Sequence, residues 1–190
     1  MRKKEIEKLT CSVARTIGAI GERWTLLLLR EFFLGSRRFE VLQAHTGMSS
    51  RALSDRLERL QHLGIITAIA YQERPQRYEY RLTDKGMELY PIIVSMTRWG
   101  DRWMRAKGEL PPARLVHKDC GHTFKPMLTC ASCGEQAGAR NVRVDIGLEM
   151  SAERRGMQDE FFTAVSRKTR TRAIRRRPRN HRRLRNELGR

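Results

Sequence analysis

With 190 residues, 39% of them apolar, the chain can bury one substantial core plus a small appendage. Its 39 Lys and Arg against 21 Asp and Glu leave a formal charge of +18, which points to a polyanionic partner, nucleic acid ahead of an anionic membrane. No apolar run reaches transmembrane length and "MRKKEIEKLT" lacks a signal-type hydrophobic stretch, so a cytoplasmic, nucleoid-associated protein without a membrane partner is expected.

Helical periodicity begins near Cys11, with Val13, Ile17 and Ile20 roughly on one face. "RWTLLLLREFF" is apolar almost all round, which suits the centre of a small helical bundle. Gly35 ends that helix, and Ser36 is placed to cap a third, "RRFEVLQAH". In "TGMS", Gly47 permits a tight turn and Ser49 can accept hydrogen bonds from the free amides of the next helix. That helix, "SSRALSDRLERLQHLG", turns Leu53, Leu57 and Leu60 inward and Arg51, Ser54, Asp55 and Glu58 outward, and Gly64 stops it. "IITAIAY" and "YEYRL" then read as antiparallel strands around the loop "QERPQR". "TDKG" opens a last long helix whose apolar stripe is Leu89, Ile92, Ile93, Met96, Trp99 and Trp103, with Pro91 a tolerable kink. A stripe this wide is too apolar to leave in water and predicts a dimer interface.

Two short helices joined by a tight turn, with a hairpin directly after the second, make a winged helix-turn-helix. The expected fold is mainly α with a small β-hairpin wing, dimeric, with a small zinc-ribbon-like appendage. The second helix would offer its outward face to a DNA major groove, and the hairpin would grip the flanking backbone. "IGERWTLLLLREFFLGSRRFEVLQ", "MSSRALSDRLERLQHLGII", "ERPQRYEYRLTDKG" and "WGDRW", in that order and with those gaps, resemble the HxlR-type transcriptional regulators over about residues 11–106. The resemblance implies a sequence-specific DNA-binding homodimer, with the first and last helices of each protomer at the interface. A repressor on a pseudo-palindromic operator in double-stranded DNA is the expected role.

The exposed start of the second helix places Ser49, Ser50, Arg51 and Ser54 where side chains reach base edges, Arg being able to contact guanine in bidentate fashion. Arg37, Arg56, Arg59, Arg74, Gln76 and Arg77 are expected on phosphates, which position a protein without reading sequence. Arg56 and Arg59 flank the leucine stripe and could equally form intramolecular ion pairs.

Three parts are expected: a DNA-binding domain over 1–110 that includes the dimerisation helix, a zinc-binding segment over 111–147, and a basic, disordered tail over 148–190. Four cysteines in a reducing compartment read as metal ligands or reactive thiols. In "HKDCGHTFKPMLTCASCGE", His117-x2-Cys120 and Cys130-x2-Cys133 supply four ligands for a closed, structural Zn2+ site, with His122 the rival for the histidine position. No Glu or Asp is placed as a general base, which argues against a zinc nuclease, and no enzymatic activity is expected. Cys11 stands near the start of the first helix, where a thiol's pKa falls and Arg15 is one turn away. Some HxlR-type regulators sense oxidants or quinones with a cysteine near this position. That reading competes with a small residue packed at the dimer interface, and a small-molecule or redox effector remains unassigned. Residues 151–190 hold 14 Arg and Lys against 4 Asp and Glu, with few apolar residues to bury. "MQDEFFTAVSRK" could make one short helix there. The zinc segment and this tail raise one alternative, an RNA-binding or ribosome-associated protein.

Overall fold

A computed structural model describes residue 6 and residues 8–175, with 168–175 described by backbone alone. The described elements are α1 (Ser12–Ile20), α2 (Arg23–Phe33), α3 (Phe39–Thr46), α4 (Ser50–His62), β1 (Ile66–Glu73), β2 (Gln76–Leu82), α5 (Asp84–Met87), α6 (Tyr90–Trp103) and α7 (Leu148–Arg175). Two compact units divide them, one built on Ser12–Arg143 and the other on Leu9–Cys11 with residues from Val144 onward.

The core of the first unit is Leu28 and Leu29 from α2, Leu42 from α3, Leu53, Leu57 and Leu60 from α4, Ile65 and Ile66 at the start of the hairpin, and Ile93 from α6. The inward leucines of α4 are 1% exposed or less, so the periodicity read from the sequence is the periodicity of burial. Ser49 caps α4 by accepting from the Ala52 amide at 3.3 Å. The turn before it depends on Gly47, which closes α3 at φ 68°, a conformation that a side chain would strain.

Three local expectations change. Ser36 does not cap α3: that position falls to Arg38, and Ser36 is buried with its hydroxyl on the Glu31 carboxylate. Strands β1 and β2 extend to Glu73 and Gln76, so the loop shrinks to Arg74 and Pro75. The helix after the hairpin is two helices. Thr83 caps the single turn α5, and Pro91 falls in the first turn of α6, where its missing N–H leaves no helical bond unmade.

The register pairs Ile66 with Leu82, Ala68 with Tyr80 and Ala70 with Tyr78. The link between α2 and α3 adds a third edge: the Tyr80 amide donates to the Arg37 carbonyl at 2.8 Å, and Arg38 bridges to Glu79. The wing is therefore fastened to the helix-turn-helix it serves.

In the second unit Glu153 accepts from the Thr10 hydroxyl at 2.6 Å and from the Thr10 amide. Its helix α7 corrects the expectation of a disordered tail over 148–175. That expectation weighed only the lack of burial. From Leu148 to Arg175 the chain has no proline and one glycine, and its Glu, Arg, Met, Ala and Gln lose little rotamer freedom in a helix. Residues 176–190, the rest of the expected tail, lie outside the described residues. No described helix is long and apolar enough to cross a membrane.

Candidate nucleic-acid interface

The start of α4 presents Ser49, Ser50, Arg51 and Ser54 to solvent. Two of these hydroxyls are already engaged. Ser49 caps the helix, and Ser50 accepts from Gln43 Nε2 at 2.9 Å, a bond that ties α4 to α3 across the turn. Arg51 and Ser54 are the side chains left to reach outward, with Asp55 and Glu58 exposed beyond them.

At the wing tip Arg74, Gln76 and Arg77 are all exposed. Arg37, also exposed, stands where the α2–α3 link pairs with β2. Its neighbour Arg38 lies over the Tyr71 ring, 4.7 Å from the centroid, and binds Glu79 at 3.2 Å. Arg38 first, and Arg81 second, hold the Glu79 carboxyl below its ordinary pKa. Arg38 and Arg81 are thus spent on bracing the wing.

Arg56 and Arg59 do not join this surface. Arg56 is paired with Glu22, its side chain only 18% exposed, and Arg59 Nη2 donates to the Gly18 carbonyl at 2.9 Å. The physical reason is their helical phase: they sit one position before Leu57 and Leu60, on the flanks of the buried stripe. Of the two alternatives that the sequence left open for them, the geometry takes the intramolecular one.

One cluster escaped the sequence reading. Glu31, 3% exposed, accepts from Arg30 Nη2 at 2.7 Å and Ser36 Oγ at 3.0 Å, and pairs with His45 Nδ1 at 2.8 Å. Burial raises its pKa, and the hydrogen bonds from His45, Arg30 and Ser36 outweigh burial, so the carboxyl lies below its ordinary value. This cluster links α2, the α2–α3 corner and the end of α3. Its signal was legible: the single acid of the largely apolar "TLLLLREFF" has to find partners when its helix is buried.

The apolar stripe of α6 divides. Ile93 is 9% exposed and Leu89 half-buried, both packed in the protomer's own core, so these two are corrected out of the expected dimer face. Ile92, Met96, Trp99 and Trp103 remain exposed, as do Val13 and Ile17 on α1. Cys11 is partly exposed, immediately before α1.

The 111–147 segment places its four expected ligands as two pairs. His117 Nδ1 lies 3.3 Å from Cys120 Sγ. The amides of Cys133 and Ser132 hold the Cys130 thiol below its ordinary pKa. The His122 carbonyl accepts from the His117 amide at 2.9 Å. Among the described residues no three His, Cys, Asp or Glu side chains converge closely enough to hold a metal ion.

A family model described as HxlR-like helix-turn-helix matches residues 19–108. The chain is 44% identical over 136 residues to the uncharacterized HTH-type transcriptional regulator MT3179 of Mycobacterium tuberculosis, covering 72% of this chain and 85% of that relative. That alignment is longer than the stretch matched by the family model. Among solved structures, PA1607, a candidate transcription factor, is 33% identical with a TM-score of 0.67, covering 75% of this chain and 99% of that one. Another, PA1374 from Pseudomonas aeruginosa, is 27% identical with a TM-score of 0.51, covering 73% and 93%. The alternative of an RNA-binding or ribosome-associated protein finds no support in these likenesses.

Proposed function

Since the chain belongs to the HxlR-like helix-turn-helix family of DNA-binding transcriptional regulators, we propose that it works as a sequence-specific repressor, a homodimer seated on a pseudo-palindromic operator. One observation carries this reading. Arg51 at the exposed start of α4 and Arg74 and Arg77 at the wing tip have no acidic partner among the described residues, whereas the neighbouring Arg38, Arg56 and Arg81 are all paired with acids. The free guanidinium groups are the ones a duplex would meet: Arg51 at base edges, Arg74 and Arg77 at phosphates beside the wing. Such a dimer represses by occluding the promoter.

The dimer is supported by Val13 and Ile17 on α1 and by Ile92, Met96, Trp99 and Trp103 on α6, an exposed apolar set that two copies would remove from water. The same reading includes one Zn2+ per chain, held by His117, Cys120, Cys130 and Cys133, whose support is the arrangement of these side chains as two ligand pairs. Four protein ligands leave no open position, so the ion's role is structural.

The test is affinity for duplexes from the gene's own upstream region, measured against random duplex and structured RNA across a salt series. Preference for one duplex, with a dimeric mass in light scattering, is the expected result. Equal affinity for all three, or a monomer at micromolar concentration, would remove the proposal.

A further inference from the structure

Between α6 and the stretch Phe124–Leu128 of the appended segment lies a cavity of about 510 Å³. Both walls belong to the unit built on Ser12–Arg143. Arg98 Nη1 donates to the Pro126 carbonyl and ties the second wall to the helix. Val94, only 3% exposed, lines the cavity from the core side, and Tyr90, Trp99, Trp103 and Phe124 give it an aromatic surface. The Tyr90 ring is itself braced, edge-on against Phe33 of α2 with the centroids 5.1 Å apart.

The charges on this hollow have one sign. Arg98 and Arg102 line it, and no acidic residue does. Neither guanidinium has a carboxylate partner among the described residues: Arg98 is on a carbonyl, and Arg102 lies over the Trp103 ring, 5.0 Å from its centroid. The acids that follow along the chain, Asp101 and Glu109, are taken by Arg105. Two cations without counter-ions beside aromatic rings fit an apolar anion. The rings take up its hydrocarbon body, and a guanidinium makes charge-assisted hydrogen bonds to a carboxylate. A neutral ligand would leave both cations unanswered, and a cationic one would be repelled. The size fits as well, since about 300–1,000 Å³ is the ordinary range for small-molecule sites. Ile92 and Met96, of the proposed dimer face, line a neighbouring hollow and not this one.

We propose that this cavity binds a small aromatic carboxylate, its ring against the aromatic side chains and its carboxylate on Arg98 and Arg102. The appended segment thereby gains a role, supplying a wall that the winged helix lacks. The ligand's standing as an effector rests on the DNA-binding reading under Proposed function, whereas the site does not. Tyr90, through Phe33, is the contact by which an occupant reaches α2.

The probe is naphthoate, titrated calorimetrically into the full reduced chain, with naphthamide as its uncharged counterpart. Naphthoate should bind about tenfold tighter than naphthamide, the worth of a hydrogen bond to a charged group. Arg102→Gln should remove that preference, and Phe124→Ala should weaken both probes, with helical circular dichroism checked in each variant. No binding at millimolar naphthoate, equal affinity for the two probes, or a preference that survives Arg102→Gln would overturn the site. So would naphthoate affinity that falls as protein concentration rises through the dimer range, which would give the cavity to a second copy. If a variant fails to fold, hydrogen exchange on the native chain replaces it. Naphthoate should slow exchange at the Phe124 amide and along α6, and protection confined to other elements would overturn the site. At saturation naphthoate should also shift affinity for the preferred duplex, and an unshifted affinity with naphthoate bound would overturn the effector role. A chain that binds naphthoate but prefers no duplex would remove the reading under Proposed function and leave the site standing.

Discussion

The winged-helix core and the 111–147 segment reach equally regular backbones by different physics. In the core, Leu28, Leu29, Leu42, Leu53 and Leu60 are fully buried, and each helix is held by the side chains it places against the others. In the appended segment the turns are as well hydrogen-bonded, yet almost every side chain faces water. Regular hydrogen bonding in water contributes little net stability by itself, since each bond replaces one made to solvent. The lesson is that burial supplies the order of the core, whereas the turns of the appendage rest on backbone hydrogen bonds with little burial behind them.

The largest effect that would break this contrast lies in the core. Leu57→Ala removes a side chain 1% exposed and should destabilise the winged helix by about 2–5 kcal/mol. Urea denaturation followed by circular dichroism measures it, and a loss below that range would mean the core is less tightly packed than its burial implies. Cys130→Ser is the matching change in the appendage. It should abolish zinc binding while leaving the core's denaturation midpoint unchanged and operator binding appreciable, as read by elemental analysis and by gel shift. A midpoint that moved with zinc would show that the two regions fold as one.

On the DNA face, Arg51→Ala should weaken specific binding by roughly 1–3 kcal/mol, the worth of a good bidentate base contact. Arg74→Ala should weaken all duplexes alike and reduce the salt slope by about one. If Arg51→Ala left the ratio of specific to random affinity unchanged, base readout would lie elsewhere.

The core also carries a pH dependence that the appendage cannot supply through burial. Glu31 has its pKa lowered in the folded chain, so it binds protons less readily there than when unfolded. Its contribution is therefore present above the ordinary carboxylate pKa and is lost as pH falls through the lowered value. Glu31→Gln should flatten the acid limb of the stability curve, and an unchanged limb would assign acid unfolding to other carboxylates.

The smallest effect is expected at Cys11. If Cys11 is a redox sensor, Cys11→Ser should leave affinity unchanged under reducing conditions and retain, after hypochlorite, binding that the native chain loses. Equal loss in both proteins would move the oxidation to Cys120, Cys130 and Cys133.

Much of the core was legible because its information is local and periodic. The spacing of Leu53, Leu57 and Leu60 defines a face, Gly47 and Ser49 mark a turn and a cap, and the hairpin follows from alternation around Pro75. The same holds for the matching spacing of His117 to Cys120 and Cys130 to Cys133, which is a property of short turns. Partner choice was not legible, because it depends on what folding brings near. Arg56 and Arg51 are alike in the sequence, and only the packing of α1 and α2 decides that one meets Glu22 while the other meets solvent. The α6 stripe reads as one surface until the core claims Leu89 and Ile93 and leaves Ile92, Met96 and Trp99 outside. Ser36 looks like a cap until Glu31, buried by its own helix, requires a donor. By itself the sequence determined which faces are apolar and where the turn at Gly47 and Ser49 falls, since those depend on neighbours along the chain. The tertiary structure alone decided which charges are spent inside and which remain exposed, since desolvation and pairing act on groups brought together across the fold.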